Sequence, residues 1–378
     1  MKKLSQHARE WQARNAVRSW LQRLERRRRY SQKKWVRREG ARARSKWILT
    51  LSGDLDLVGN ARHTREQLAG FESLRIPKAH EPGLKLFVDM TQIQSIDPAC
   101  ALYLVAQTDR LVNSRKVEVT GNFPSAQKAV QLLADVGFHK VMRTASPMTA
   151  RANKEPVLEI SKGRAGNHLN PKTTWQKLHA FLKAHLNEEQ ADAVYAALGE
   201  CIENVKQHAF AVRDTGLWYA LAIRPAEDLP ARAIVLDLGQ GIGASVRRPK
   251  LDVMMTEFFT SFLKAIRFAS KDEITDEEVT ATVQRLRSDD WLCVYLASQG
   301  LRTQVKDKRR GTGLTGLRTG ILESDTAGAL HVLSGSAAVT WRKGVDPKPE
   351  RLPNLRGTIV CIEFDAPPGT GPDAAPLK

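Results

Sequence analysis

The sequence predicts an α/β protein in which two sheet-containing domains follow one another. Short apolar runs of strand character alternate with longer segments whose apolar residues recur at helical spacing, and glycine or proline separates many of them. A length of 378 residues leaves room for two or three domains with sizeable cores. A composition of 42% hydrophobic and 26% charged residues is that of a soluble globular protein.

Apolar runs and cysteines together predict a cytoplasmic protein. No apolar run approaches the roughly 18 residues that a membrane-spanning helix needs. We also expect no transmembrane segment or secretory signal, because the charged N-terminus is followed by no apolar core. The cysteines lack metal-binding or redox spacing, as expected for free thiols in a reducing compartment. They are Cys100, Cys201, Cys293 and Cys361.

Residues 1–46 are predicted to form a basic helical arm. They carry 17 Lys and Arg against three acidic residues, so this segment holds +14 of the net charge of +18. Val17, Trp20, Leu21 and Leu24 recur at helical spacing and would form one apolar face. The basic charge therefore belongs to the arm, and the remainder of the chain is close to neutral.

Four interpretations of this arm stay open. It could be a solvated helix that packs its tryptophans on its own body or on a second subunit of a homodimer. It could bind nucleic-acid phosphates without sequence preference. It could lie on an anionic membrane surface, or it could dock on an acidic protein partner. Charge alone does not choose among them.

Residues 47–146 are predicted to form a first α/β domain. Strands and helices that alternate at this length indicate crossover connections onto one shared sheet. We expect a turn at Ser52-Gly53-Asp54, directly after the first strand. The predicted strands span residues 47–51, 84–90 and 116–120, and the predicted helices span 60–71, 98–113 and 125–136.

Three short motifs of this first domain carry a resemblance. They are Gly53-Asp54-Leu55, Phe87-Val88-Asp89-Met90 and Ser95-Ile96-Asp97-Pro98-Ala99. The segment resembles a STAS domain, the fold of anti-sigma-factor antagonists, which implies a protein-binding module. In that family the residue after the aspartate is often a phosphorylated Ser or Thr, whereas Pro98 has no hydroxyl. We interpret Ser95 as a turn or cap residue.

A second domain is predicted over residues 156–364, after a polar linker. Its insertion at residues 244–310 has helical spacing in two places and is predicted to be structured. A Pro/Gly-rich tail at residues 365–378 is predicted to be disordered. Predicted strands span residues 157–160, 218–223, 233–238 and 357–364. Predicted helices span 171–186 and 188–210, and a further helix is predicted through Leu317 and Arg318.

Four motifs of the second domain contain polar side chains, and three of them also contain glycines. Glycines allow a ligand to approach the backbone closely, and free amides at a glycine-rich helix N-terminus attract phosphate oxygens. Glu200 and Asn204 lie one turn apart on a predicted helix. The other motifs are Asp237 with Gly239, Gly241 and Gly243 after a buried strand, Gly311-Thr312-Gly313-Leu314 before a helix, and Gly357-Thr358 at the last strand.

In this order the motifs resemble the Bergerat ATP-binding fold of the GHKL superfamily, which includes gyrase, heat-shock-ninety chaperones, histidine kinases and MutL. The resemblance covers residues 156–364 and implies an α/β sandwich with the insertion as a helical ATP lid. It further implies ATP and Mg²⁺ as cofactors. Asn204 would then hold the magnesium ion, and Glu200 would be the general base.

The same resemblance implies a role for each remaining motif. Asp237 would accept a hydrogen bond from the adenine amino group, and Thr358 would support it through a water molecule. The three glycines that follow Asp237 would lie close to the base and ribose. The backbone amides of Gly311, Thr312, Gly313 and Leu314 would face the phosphates.

The output of ATP binding stays open, because fold resemblance does not define it. The missing hydroxyl at Pro98 and the long insertion favour an ATP- and Mg²⁺-gated switch or slow ATPase that acts on a regulatory protein partner. One alternative is a protein kinase acting in trans on Ser, Thr or His, as in anti-sigma kinases. Another is a nucleic-acid-associated ATPase that uses the basic arm.

Overall fold

In the part of the chain that it describes, the computed structural model is a mixed α/β structure with two β-sheets. We refer to residues 46–141 as the N-terminal unit and to residues 158–364 as the C-terminal unit. The structure describes residues 46–74, 85–115, 117–141, 158–164, 171–205, 216–223, 230–246, 288–298, 313–323, 327–348 and 350–364.

Several sequence predictions lie outside the described residues. They concern the basic arm except Lys46, the first helical segment of the insertion, and the tail. Among the helices that the structure describes, none is long and apolar enough to cross a membrane. All four cysteines are free thiols, as predicted, and three of them are fully buried.

The N-terminal unit is built on a parallel sheet of three strands in the order β1–β2–β3. Parallel neighbours require crossover connections, and α1 and α2 lie in those connections, as the alternating sequence pattern predicts. The elements are β1 (Lys46–Leu55), α1 (Ala61–Ser73), β2 (Lys85–Ile96), α2 (Pro98–Arg115), β3 (Glu118–Gly121), α3 (Gln127–Asp135) and α4 (Phe138–Val141).

The turn predicted at Ser52-Gly53-Asp54 is wrong, because β1 continues through these residues. The Gln67 side chain accepts from the Ser52 N–H (2.7 Å) and donates to the Ser52 carbonyl (2.8 Å), and the register with β2 shifts twice here. The interpretation of Ser95 as a turn or cap residue is also wrong. Ser95 lies within β2 and donates from Oγ to Asp54 Oδ1 across the sheet (2.5 Å).

The C-terminal unit is built on an antiparallel sheet of five strands in the order β4–β5–β6–β8–β7. Strand β7 has no counterpart among the sequence predictions, and β8 begins seven residues earlier than predicted. The elements are β4 (Leu158–Arg164), α5 (Pro171–His185), α6 (Glu188–Asn204), β5 (Leu217–Ile223), β6 (Ala231–Asp237), α7 (Gly241–Val246), α8 (Asp290–Ser298), α9 (Gly313–Glu323), β7 (Ala327–Trp341) and β8 (Glu350–Phe364).

This five-stranded sheet is covered on both faces, as the buried strand β6 illustrates. Alternate residues of a strand face opposite sides. Ala233 and Val235 belong to the core formed with α5, α6 and α9, whereas Ile234 and Leu236 belong to the core shared with the N-terminal unit. The N-terminal unit therefore packs on the sheet face opposite α5, α6 and α9.

A buried charge network joins the two units near the start of β6. Arg232 donates to Glu363 Oε1 from Nε (2.9 Å) and Nη2 (2.6 Å), and its Nη1 lies 3.5 Å from Asp97 Oδ2 of the N-terminal unit. His331 Nε2 lies 3.2 Å from Glu363 Oε2. Burial alone would raise the pKa of Glu363, but these partners lower it to about 2. Arg232 thus neutralises carboxylates from both units.

Candidate functional site

Asp237 lies at the opposite end of β6 and is a predicted site residue whose pKa is strongly shifted. Its Oδ1 accepts from the Gly239 N–H (2.7 Å), and Thr358, its register partner on β8, makes a side-chain hydrogen bond to the same carboxyl. Burial raises the pKa of Asp237 to about 7, although both hydrogen bonds favour the ionised form. The structure thus brings Asp237, Gly239 and Thr358 together.

The side chains of Asp237 and Thr358 face the helices and point away from the N-terminal unit. They continue the alternation of Val235 on β6 and Val360 on β8, which both belong to the core beneath α5, α6 and α9. A ligand at this carboxyl would therefore lie between the sheet and the helices.

Two glycines allow the chain to turn closely around this carboxyl. Gly357 has φ +90°, and a Cβ there would overlap the backbone carbonyl of Asp237. Gly241 has φ +80°, and its Cβ would lie 2.9 Å from Ser334 Oγ. L-residues with side chains rarely adopt such φ values. Gly239 and Gly243 are both buried, the second within the short helix α7.

Ser334 of β7 connects these parts and was not predicted as a site residue. Its Oγ accepts from the Ile242 N–H (2.8 Å) and lies 3.2 Å from Thr358 Oγ1 and 3.3 Å from the Gly357 carbonyl oxygen. Ser334 is fully buried and is the register partner of Thr358. The sequence offers only the Ser-Gly-Ser interruption of an apolar strand as a signal for it.

Helix α6 places Glu200 on the same side of the sheet. The neighbouring Cys201 has its pKa raised to about 12, first by burial and then by the negative charges of Glu200 and Asp237. Both carboxylates thus lie within electrostatic range of one thiol. Asn204 is the last residue of α6, one turn beyond Glu200. Its predicted role as a ligand rests on this position and on the sequence.

Helix α9 begins at Gly313, within the glycine motif that the sequence predicted would open a helix through Leu317 and Arg318, and it packs against α6. Leu314 is half-buried and contacts the same core as Cys201 and Ile242. The first turn of α9 therefore shares a core with the motif on α6 and with the glycine loop after β6. Gly311 and Thr312 lie outside the described residues.

The residues present fit an adenine ring better than they define a metal site. A buried carboxylate beside glycines can accept from an exocyclic amino group, and the buried apolar residues around it would exclude water. Among the described residues, no group of three or more His, Cys, Asp or Glu could hold a metal ion. Asn204 and the phosphate oxygens of a nucleotide are the ligands that the GHKL resemblance implies for a magnesium ion.

Comparison of the chain with protein-family models, with curated proteins and with solved structures gave no match.

Proposed function

We propose that the chain is an ATP-binding protein of the GHKL type, with the Bergerat arrangement in its C-terminal unit. One observation carries this proposal: the buried Asp237 carboxyl at the end of β6, bonded to Thr358 on β8 and followed by closely packed glycines. This is the arrangement that an adenine amino group needs, because it joins an acceptor to a backbone that a flat ring can approach.

The other predicted residues complete the proposed site. The amides of Gly313 and Leu314 at the start of α9, and those of the preceding residues 311 and 312, would face the phosphates, since a helix N-terminus attracts anions. Asn204 would hold the Mg²⁺ ion, which would neutralise phosphate charge when bound. Glu200 would orient an attacking water molecule and accept its proton.

We further propose that ATP acts as a switch and that any hydrolysis is slow. The N-terminal unit, which we propose has a STAS fold, presents Pro98 where a phosphorylated Ser or Thr would lie. The adjacent Asp97 is buried against Arg232 of the C-terminal unit. Residue 98 therefore has no hydroxyl that could accept a phosphoryl group. ATP binding would instead change the contacts that the chain makes with a regulatory protein partner.

The first test is nucleotide selectivity. A carboxylate at Asp237 accepts from the amino group of adenine but repels the carbonyl oxygen that guanine presents at the same position. We expect ATP to bind at least about tenfold more tightly than GTP, which corresponds to ~1.4 kcal/mol. Titration calorimetry with and without Mg²⁺ measures this difference. Equal affinities for ATP and GTP, or no binding of either, would sink the proposal.

Asp237→Asn is the matching variant. Its amide has the same shape, and the carboxyl it replaces has a pKa raised to about 7, so the fold should tolerate it. ATP affinity should fall by at least about tenfold, and the preference over GTP should vanish. Asp192→Asn is the control, because Asp192 is an exposed residue of α6 that pairs with His179. Its affinity should match that of the unchanged protein.

The fate of the γ-phosphate separates the switch from the kinase. With ATP labelled at that phosphate, release of free phosphate or no turnover supports the switch. Stable label on the chain or on another protein supports the kinase instead. Glu200→Ala should keep ATP binding but abolish any turnover, and a variant with full activity would remove Glu200 as the base.

A further inference from the structure

Strand β7 carries a bulge at residues 334–337 that lies directly beside the proposed base site. The register with β8 shifts between Ser334 and Gly335 and again between Gly335 and Ala337. Gly335 has φ +60°, which a residue with a side chain rarely adopts. A bulge of this kind redirects the side chains on either side of it. Here it determines where Ser334 points.

Arg65 of α1 binds this bulge from the N-terminal unit. It is fully buried, and its guanidinium donates to the carbonyl oxygens of Gly335 (3.0 Å) and Ala337 (2.8 Å), with a longer contact to that of Pro353 (3.4 Å). Burial lowers the pKa of Arg65 to about 10, so it stays charged at neutral pH. Charged donors to buried carbonyls make strong hydrogen bonds.

Asp290, the first residue of α8, binds the same bulge from the predicted lid insertion. Its Oδ2 accepts from the Ser336 N–H (2.7 Å) and from the Ser336 hydroxyl (2.9 Å). Helix α8 also packs on α7, the helix that begins at Gly241 of the glycine loop. The N-terminal unit and the insertion therefore meet at four residues of β7.

The side chain of Ser334 connects the bulge to the proposed site. Ser334 accepts from the Ile242 N–H in the glycine loop and lies within hydrogen-bond distance of Thr358, which binds Asp237. A shift of the bulge would move Ser334, and with it the glycine loop and Thr358 of the proposed base site. Buried hydrogen-bond networks of this kind transmit such shifts because each member has few alternative partners.

We propose that Arg65 is a positioning residue for nucleotide binding and that it acts through the β7 bulge and Ser334. This inference rests on the proposed function, since it concerns the same proposed base site. It makes docking of the N-terminal unit a determinant of ATP affinity. Because linkage is reciprocal, ATP must in turn stabilise the contact between α1 and β7.

Three variants test the proposal by ATP titration. Arg65→Gln should bind ATP about tenfold more weakly, and Arg65→Lys should recover part of the loss because its ammonium can still donate to these carbonyls. Arg62→Gln is the matched control. Arg62 lies on the same helix and donates to the Arg351 carbonyl (2.8 Å), but it is exposed and does not contact the bulge. Its affinity should be unchanged.

A double-mutant cycle identifies the route. If Arg65 acts through Ser334, the loss caused by Arg65→Gln should largely disappear in a Ser334→Ala background. Additive losses would overturn the proposal, and so would a folded Arg65→Gln protein with unchanged ATP affinity. A purely structural role would lower stability in both backgrounds without this coupling.

Hydrogen exchange on the unaltered protein decides the matter if Arg65→Gln does not fold. ATP should slow amide exchange at residues 238–242, in the bulge, and in α1. Protection confined to residues 238–242 would leave the ATP site standing and overturn the role of Arg65. Absence of both ATP binding and protection would instead refute the proposed function and this inference with it.

Discussion

Two buried carboxylates, Asp97 and Asp237, lie near opposite ends of β6 and differ in how completely the protein satisfies them. Burial raises the pKa of each to about 7. Asp97 accepts from the backbone N–H groups of Leu57, Ala99 and Cys100 and lies beside the Arg232 guanidinium. In the part of the chain that the structure describes, Asp237 has two donors, Gly239 and Thr358.

This difference separates a structural carboxylate from one that can bind a ligand. A carboxylate can accept about four hydrogen bonds, so Asp97 is close to saturated, whereas the described residues leave Asp237 capacity for another donor. Burial of a polar group with unused capacity is costly. Such a group is therefore a candidate for contact with a ligand, which is the role that we propose for Asp237.

The largest effect on stability is expected at Arg232, which lies beside Asp97. Arg232→Met would leave Asp97 and Glu363 buried without their shared cation, and removal of one partner from a buried ion pair costs ~3–5 kcal/mol. The free energy of unfolding measured in urea should fall by that amount. Arg342→Met is the control, because Arg342 is exposed and lies 4.0 Å from Glu363. A loss below about 1 kcal/mol at Arg232 would contradict the network.

Asp97→Asn should lower the unfolding free energy by less than Arg232→Met does. Asp237→Asn, in contrast, should lower ATP affinity. The asparagine amide would place a donor against the donors that now face Oδ2, at a cost of ~1–3 kcal/mol in unfolding free energy. ATP affinity should stay unchanged, because Asp97 lies beside Arg232, at the end of β6 opposite Asp237. Reversed phenotypes, with Asp97→Asn losing ATP and Asp237→Asn losing stability, would show that the roles are assigned the wrong way round.

The pH dependence of ATP affinity sharpens the comparison further. An adenine amino group donates to an ionised carboxylate, so binding favours the deprotonated form of Asp237. Since its pKa is raised to about 7, affinity should rise as the pH increases through 7 and level off above it. Calorimetry between pH 6 and pH 8.5 would detect this dependence. Asp97→Asn should keep it and Asp237→Asn should lose it.

The carboxyl groups of Asp97 and Asp237 should make the stability of the fold decrease as the pH rises, which is opposite to the change expected for ATP affinity. Both folded-state pKa values are raised above the ordinary value of 3.8, so the folded protein binds more protons than the unfolded chain between about pH 4 and pH 7. Their contribution to stability is present below pH 4 and is lost as the pH rises through 7. Urea midpoints of Asp237→Asn should therefore decline less over this window than those of the unchanged protein.

The smallest effect is expected for Thr358→Val. This change keeps the shape of the side chain but removes one hydrogen bond to Asp237 and one contact with Ser334. A single neutral hydrogen bond contributes ~0.5–1.5 kcal/mol, so ATP affinity should fall about threefold. Thr340→Val is the matched control, because Thr340 lies on β7 and bonds to His331. A loss of equal size in the control would indicate a general effect on the sheet.

Local sequence signals were sufficient for the part of the site that lies on continuous segments. The apolar run that contains Asp237, the glycines behind it and a helix through Leu317 and Arg318 follow from composition and spacing alone. The pairing of Asp237 with Thr358 required the resemblance, since the two are far apart in the chain. Their position on one face then follows from strand alternation.

The features that the sequence did not predict depend on contacts between distant residues. The β7 bulge is fixed by Arg65, which is 270 residues away from Gly335, and by Asp290, which is 46 residues away from Ser336. Similarly, Ser52-Gly53-Asp54 has the composition of a turn, but the Gln67 side chain holds it in an extended strand. Tertiary contacts override local propensity at both places.

The shared core has a practical consequence for work with fragments. If the chain were cut between residues 141 and 158, the C-terminal half would expose an apolar sheet face that includes Tyr219, Leu221, Ile234 and Leu236. Bare sheet surfaces of this kind promote aggregation. We therefore expect separately produced halves to precipitate and co-produced halves to remain together, so biochemistry on either half alone would describe a different molecule.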